Sequence, residues 1–140
     1  MILSVNYEET RALQTGARNL LSEDDGGQCA VMAPPEDLVS VEQLLPKLEG
    51  DISLHSLDEM RSTQRAVEAI LECLRAEMSA VVLATHPAAE PAVAAYFEFA
   101  HVLSVAGRLE EMADEMRALI ELVTGERVTA DSVHPFQFPD

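Results

Sequence analysis

Between Ser56 and Gly125, apolar residues return every three or four positions, the period of a helix packed along one face. Ser56 and Glu59 form an S-x-x-E capping box that opens a first long helix. Met60, Val67, Ile70, Leu71, Leu74, Met78, Val81 and Val82 then recur at helical spacing as far as Thr85. That stretch is about 29 residues, roughly 43 Å of helix. His86 to Pro91 predicts a turn, because Pro87 and Pro91 are tolerated only in a first helical turn. A second long helix is predicted from Pro91 to Thr124, stopped by Gly125. Its later half directs Val105, Leu109, Met112, Met116, Leu119, Ile120 and Val123 inward, with Glu110, Glu111, Asp114, Glu115 and Glu121 on other faces. Its earlier half, residues 92–106, is apolar almost all round and calls for burial on more than one side.

The first 55 residues carry shorter patterns. Residues 2–5, 28–33 and 51–57 read as short strands, the last alternating Ile52 and Leu54 against Ser53 and His55. Asn6 is a predicted N-cap with Glu8 and Glu9 in the first turn, followed by a helix that places Leu13, Ala17, Leu20 and Leu21 on one face. Gly26 and Gly27 lie beyond its end. A further helix is predicted from Glu36 to about Leu48, with Leu38, Val41, Leu44, Leu45 and Leu48 inward and Pro46 disturbing it.

The predicted fold is therefore mainly helical α+β. A small N-terminal portion (1–55) with short strands packs on a long helical hairpin (56–125), and an extended tail (126–140) completes a single domain; the alternative is an all-α bundle. A hairpin this long outruns a 140-residue globule. Ala100, Ser104 and Gly107 also form a small-residue strip suited to close helix approach. A homodimer with a four-helix arrangement is the expected assembly.

Composition narrows the function classes. Acidic residues number 25 against nine basic ones, for a net charge of −16. Such a field repels phosphate backbones and anionic lipid heads, so nucleic-acid and membrane-surface partners are not expected, while a basic protein partner is. The N-terminus lacks the basic and apolar regions of a secretion signal, and no run of 18 apolar residues occurs, which predicts a soluble, cytoplasmic protein. Cys29 and Cys73 both sit among apolar neighbours and read as buried free thiols.

Candidate chemistry is sparse. Glu98 and His101 stand three residues apart within the stretch "AYFEFAHVLSVAG", close enough on a helix to share one ion or one hydrogen bond. Di-metal helical bundles use the same Glu-x-x-His spacing, but need two such motifs and further carboxylates. Glu68 and Glu72 on the preceding helix are the candidate complements, and a divalent metal is the one cofactor to weigh. There is no nucleophile elbow, no phosphate-binding glycine motif and no calcium-loop pattern. Phe136 and Phe138, bracketed by Pro135 and Pro139, put two rings on one side of an extended tail and are candidate partner-binding residues. The expected function is a non-enzymatic, homodimeric protein–protein interaction module: an adaptor, chaperone-like protein or inhibitor. The alternative is a metal-binding bundle built around Glu98 and His101.

Overall fold

The computed structural model describes residues 1–21, 33–84 and 90–125, with the side chains of 82–84 left aside. Within them the chain forms β1 (Ile2–Leu3), α1 (Tyr7–Leu21), α2 (Pro35–Leu44), a 3-10 turn (Leu45–Lys47), β2 (Ile52–Ser53), α3 (Leu57–Ala84) and α4 (Glu90–Thr124). Mainly helical α+β is the class that results.

Local chemistry fixes where the helices begin and end. Asn6 Oδ1 accepts the Glu9 backbone N–H at 2.8 Å, and Glu9 Oε1 accepts the Asn6 N–H at 3.0 Å, a reciprocal capping box at the start of α1. Ser56 Oγ accepts the Glu59 N–H at 3.1 Å and opens α3, while Glu59 reaches back to the His55 N–H instead. Pro46 lacks the N–H that would continue α2, so the predicted helix from Glu36 to Leu48 is shorter and finishes as the 3-10 turn. Gly125 closes α4 at φ +72°, a left-handed conformation that only glycine adopts at little cost.

β1 and β2 pair antiparallel, Ile2 opposite Ser53 and Leu3 opposite Ile52. Met1 extends the ladder, its carbonyl accepting the Leu54 N–H at 2.7 Å. Two predicted strands are thus present in trimmed form. The third, 28–33, lies outside the described residues except for Ala33, which belongs to no strand.

α3 packs chiefly on α4, α2 lies against α3, and α1 touches both long helices. They share one core, centred on Leu13, Val41, Met60, Ile70, Leu109 and Met116, all at most 1% exposed. Burial of each such side chain contributes about 1.5–3 kcal/mol relative to exposure. α1 comes close to α3 at Gly16, where an added Cβ would run into the Ile70 γ2 methyl. Among the described residues, no helix is long and apolar enough to cross a membrane.

α4 departs from expectation on its outer side. Val102, Val105, Leu109, Ala113, Met116 and Ile120 hold the buried face, but Leu119 and Val123 are 41% and 67% exposed. Leu119 sits about 100° round the helix from Ile120 and so off the buried line, whereas Val123, three residues beyond Ile120, continues that line past its last buried residue. Residues 92–106, expected to be buried on more than one side, are not so covered within one chain: Val93, Tyr96, Phe97 and Leu103 face outward.

Candidate functional site

Glu98 and His101 lie on the same helix yet turn to different neighbours. His101 Nε2 is 3.2 Å from Glu8 Oε2, so the imidazole ties α4 to α1. Glu98 lies near enough to Glu77 of α3 for its charge to be felt there. Burial already pushes the Glu77 carboxyl up; the Asn19 amide, donating at 3.2 Å, opposes this, Glu98 adds to it, and the net result is above the usual carboxylate range. Glu72 is taken by Arg75 at 2.9 Å, and the same guanidinium sits 5.6 Å over the Phe99 ring. Glu68 is exposed and lines an open cleft between α3 and α4. Among the described residues, no group of three or more His, Cys, Asp or Glu side chains converges so as to hold a metal ion. The four candidate ligands are thus not brought together.

Cys73 corrects a second expectation. It is fully buried, but it is disulfide-bonded rather than a free thiol. Bond formation depends on the two Cα atoms approaching within about 7 Å, which 44 residues of sequence separation do not reveal. The chain's other cysteine, Cys29, lies outside the described residues, as do Phe136 and Phe138.

The most developed polar network is one that no sequence motif marked. Arg108 Nη2 donates to Glu9 Oε1 at 2.6 Å and to the Ser4 carbonyl at 3.0 Å, and Nη1 donates to Ser104 Oγ at 2.8 Å. Burial alone would raise the Glu9 carboxyl. Hydrogen bonds from Arg108 and the Asn6 N–H, with the Arg108 charge and the Ser104 hydroxyl, more than offset that and hold it below the usual range. The network joins the N-terminal strand and the α1 cap to α4 across 99 residues of sequence. A capping glutamate at the third helical position and a lone arginine in an apolar segment were its only sequence signals.

Among the described residues, two of the open clefts along α3 have polar walls. One, about 610 Å³, lies between α2 and α3, with Ser40, Gln43 and Ser62 on its wall beside the Lys47–Glu59 pair. The Ser62 hydroxyl is 3.2 Å from both Ser40 Oγ and Gln43 Oε1, so these groups satisfy one another. The other, about 820 Å³, lies between α3 and α4; Arg61, Arg65 and Arg117 line it with Glu68, Glu110 and Asp114. Its charges balance, and its polar groups select neither an anion nor a cation.

What remains is surface. The outer side of α4 presents Val93, Tyr96, Phe97 and Leu103, with the Tyr96 and Phe97 rings edge to face, 5.8 Å between centroids. Beyond Gly107 the same side turns acidic through Glu111, Asp114 and Glu115, all exposed. No family model, curated protein or solved structure matches the chain.

Proposed function

We propose that this protein is a non-enzymatic interaction module that works as a homodimer and presents its acidic exterior to a basic protein partner. The observation that supports the reading most directly is the aromatic, outward face of α4 on a chain of net charge −16. Tyr and Phe are enriched at interface centres, and an exposed patch rimmed by charge is the usual mark of a protein contact. The tail residues Phe136 and Phe138 are assigned to the partner, adding two apolar anchors to the electrostatic attraction. The metal-binding alternative around Glu98 and His101 draws no support from their geometry, since each turns to a different helix.

A cytoplasmic setting is the expectation from the sequence. The Cys73 disulfide argues for an oxidising compartment instead.

The test of partner binding uses a fluorescent cationic amphipathic helical peptide as probe, followed by anisotropy at several salt concentrations. Micromolar binding that weakens with salt, and weakens again on deleting Val133 to Asp140 without a change in helicity, supports the reading. Absence of binding, or binding indifferent to both salt and tail, refutes it.

A further inference from the structure

The α4 face has a register. Val93, Tyr96, Phe97 and Leu103 are 43%, 57%, 55% and 47% exposed, and all lie within one arc of the helix opposite its buried line. Small residues share that arc: half-buried Ala100, and exposed Ser104 and Gly107. Among the described residues, none lies within 4 Å of a Cβ added at Gly107. A mid-helix glycine costs about 1 kcal/mol relative to alanine, and none of the described residues crowds this position so as to require it. The large residues occupy the N-terminal part of the arc and the small ones mostly the C-terminal part.

We infer that a second copy of this chain covers the face, with the two α4 helices antiparallel about a two-fold axis at Ala100. Turning the helix end for end about that point sets Val93 over Gly107, Tyr96 over Ser104 and Phe97 over Leu103. Val93 and Tyr96 then meet small residues, Phe97 and Leu103 pack as an apolar pair, and Ala100 meets its own copy where the backbones come nearest. A parallel pair would stack like on like, Tyr96 against Tyr96 and Gly107 against Gly107. Charge selects the same orientation. The acidic continuation of the arc, Glu111, Asp114 and Glu115, would meet its own copy in a parallel pair. In the antiparallel pair the two acidic patches lie roughly 40 Å apart along the helices, several Debye lengths at physiological salt.

The area sets the strength. The four large side chains leave roughly 400 Å² uncovered, about half of the ~800 Å² per partner of a standard interface. The remainder falls to Ala94, Ala100 and the rim, so association is concentration-dependent in the micromolar range rather than obligate. The contact is apolar and its bearers repel one another, so added salt strengthens it.

This inference rests on the homodimer reading above, and its test separates the two. Sedimentation equilibrium from about 1 to 500 µM measures the assembly for the native chain and for Leu103→Glu, an exposed position whose helicity is checked by circular dichroism. Oxidative cross-linking then compares Ala100→Cys, Val93→Cys and Gly107→Cys. The expected result is a dimer weakened at least tenfold by Leu103→Glu and strengthened between about 50 and 500 mM salt. Ala100→Cys alone cross-links to itself, while Val93→Cys and Gly107→Cys link only when the two variants are mixed. Self-linking at all three positions overturns the antiparallel register. A dimer that ignores Leu103→Glu and links at none of them overturns the α4 face and leaves the homodimer standing. A chain that stays monomeric throughout overturns both.

Discussion

Two glycines in helices, given the same substitution, should respond with opposite signs. Gly16 lies where α1 meets α3, and a Cβ there would collide with the γ2 methyl of Ile70, a residue with no solvent exposure. Ile70 is branched at Cβ and has few rotamers to retreat into. Overpacking of this kind costs about 1–3 kcal/mol, against about 1 kcal/mol gained from helix propensity and a less free unfolded chain. Gly16→Ala should therefore lower stability by about 1 kcal/mol. Gly107→Ala meets nothing within 4 Å and keeps the whole gain, about 0.5–1 kcal/mol.

The unfolded-state term is the same for both variants, so it cancels in their difference and isolates the collision. That difference is roughly 1–3 kcal/mol. Urea unfolding followed by circular dichroism at low micromolar concentration measures it while the chain is monomeric. With m of about 2 kcal/mol/M, the two midpoints should lie roughly 0.5–1.5 M apart, with the native chain between them. If both substitutions stabilise, or if their midpoints coincide, α1 does not approach α3 as described. At about 200 µM the sign at Gly107 should turn for assembly: a methyl there keeps Val93 of a second copy at greater distance and weakens self-association several-fold.

Removing the α1 cap with Asn6→Ala should cost about 1 kcal/mol and lower Tm by roughly 2–6 °C in a calorimetric scan. Glu9 and Glu59 both have carboxyls held below the usual range. For each, burial raises it, and cationic and hydrogen-bonding partners outweigh that: Arg108, Asn6 and Ser104 for Glu9, Lys47 and His55 for Glu59. Their contribution is therefore complete above the ordinary carboxylate value and is lost as pH falls through their lowered values, and Glu9→Gln should flatten the acid limb of a Tm-against-pH curve. Glu77 has the opposite sign: its carboxyl is raised by burial and by Glu98, so its ionised form weighs against folding at neutral pH. Glu77→Gln should raise Tm at pH 7, with the advantage shrinking as pH is lowered towards the carboxylate range. Metal analysis of untagged protein prepared without chelators should find substoichiometric divalent metal, unchanged by His101→Ala; one ion per chain lost in that variant would revive the Glu98–His101 site.

The sequence was most legible where structure is decided locally. Asn6 with Glu9, Ser56 with Glu59, and Gly125 act within one turn of themselves, and each marks a real helix end. Helical spacing likewise found most of the buried line of α3 and α4. It failed on the first half of α4 because no polar face there fixes a rotation, so the packed side is set by α1 and α3 rather than by α4's own residues. The Glu9–Arg108 pair and the Cys73 disulfide were invisible for a different reason: their partners are brought together by tertiary packing, across 99 residues for the ion pair. Glu98 and His101 show the converse. Their spacing suggested a shared ligand, but about 60° of helix rotation separates them, enough to send one towards α3 and the other to Glu8.

The same charge balance that argues against nucleic acid would also limit how far the proposed assembly proceeds. An exposed aromatic face on a neutral chain invites open-ended aggregation. The isologous contact proposed about Ala100 would use one face from each copy and close at two, leaving no copy of that face unpaired. In that proposed dimer the rest of the surface would belong to two chains of net charge −16 each, whose repulsion would oppose a third. Under the proposed pairing, acidity and apolarity on α4 are complementary rather than conflicting: the apolar half would draw a second copy in, and the acidic half would fix its direction. A basic protein meeting this dimer would find an acidic patch at each end of the paired helices, roughly 40 Å apart. Bivalent basic partners with linkers that span this distance should therefore bind more tightly than either half alone, an avidity gain that Leu103→Glu abolishes without altering the charge patches themselves.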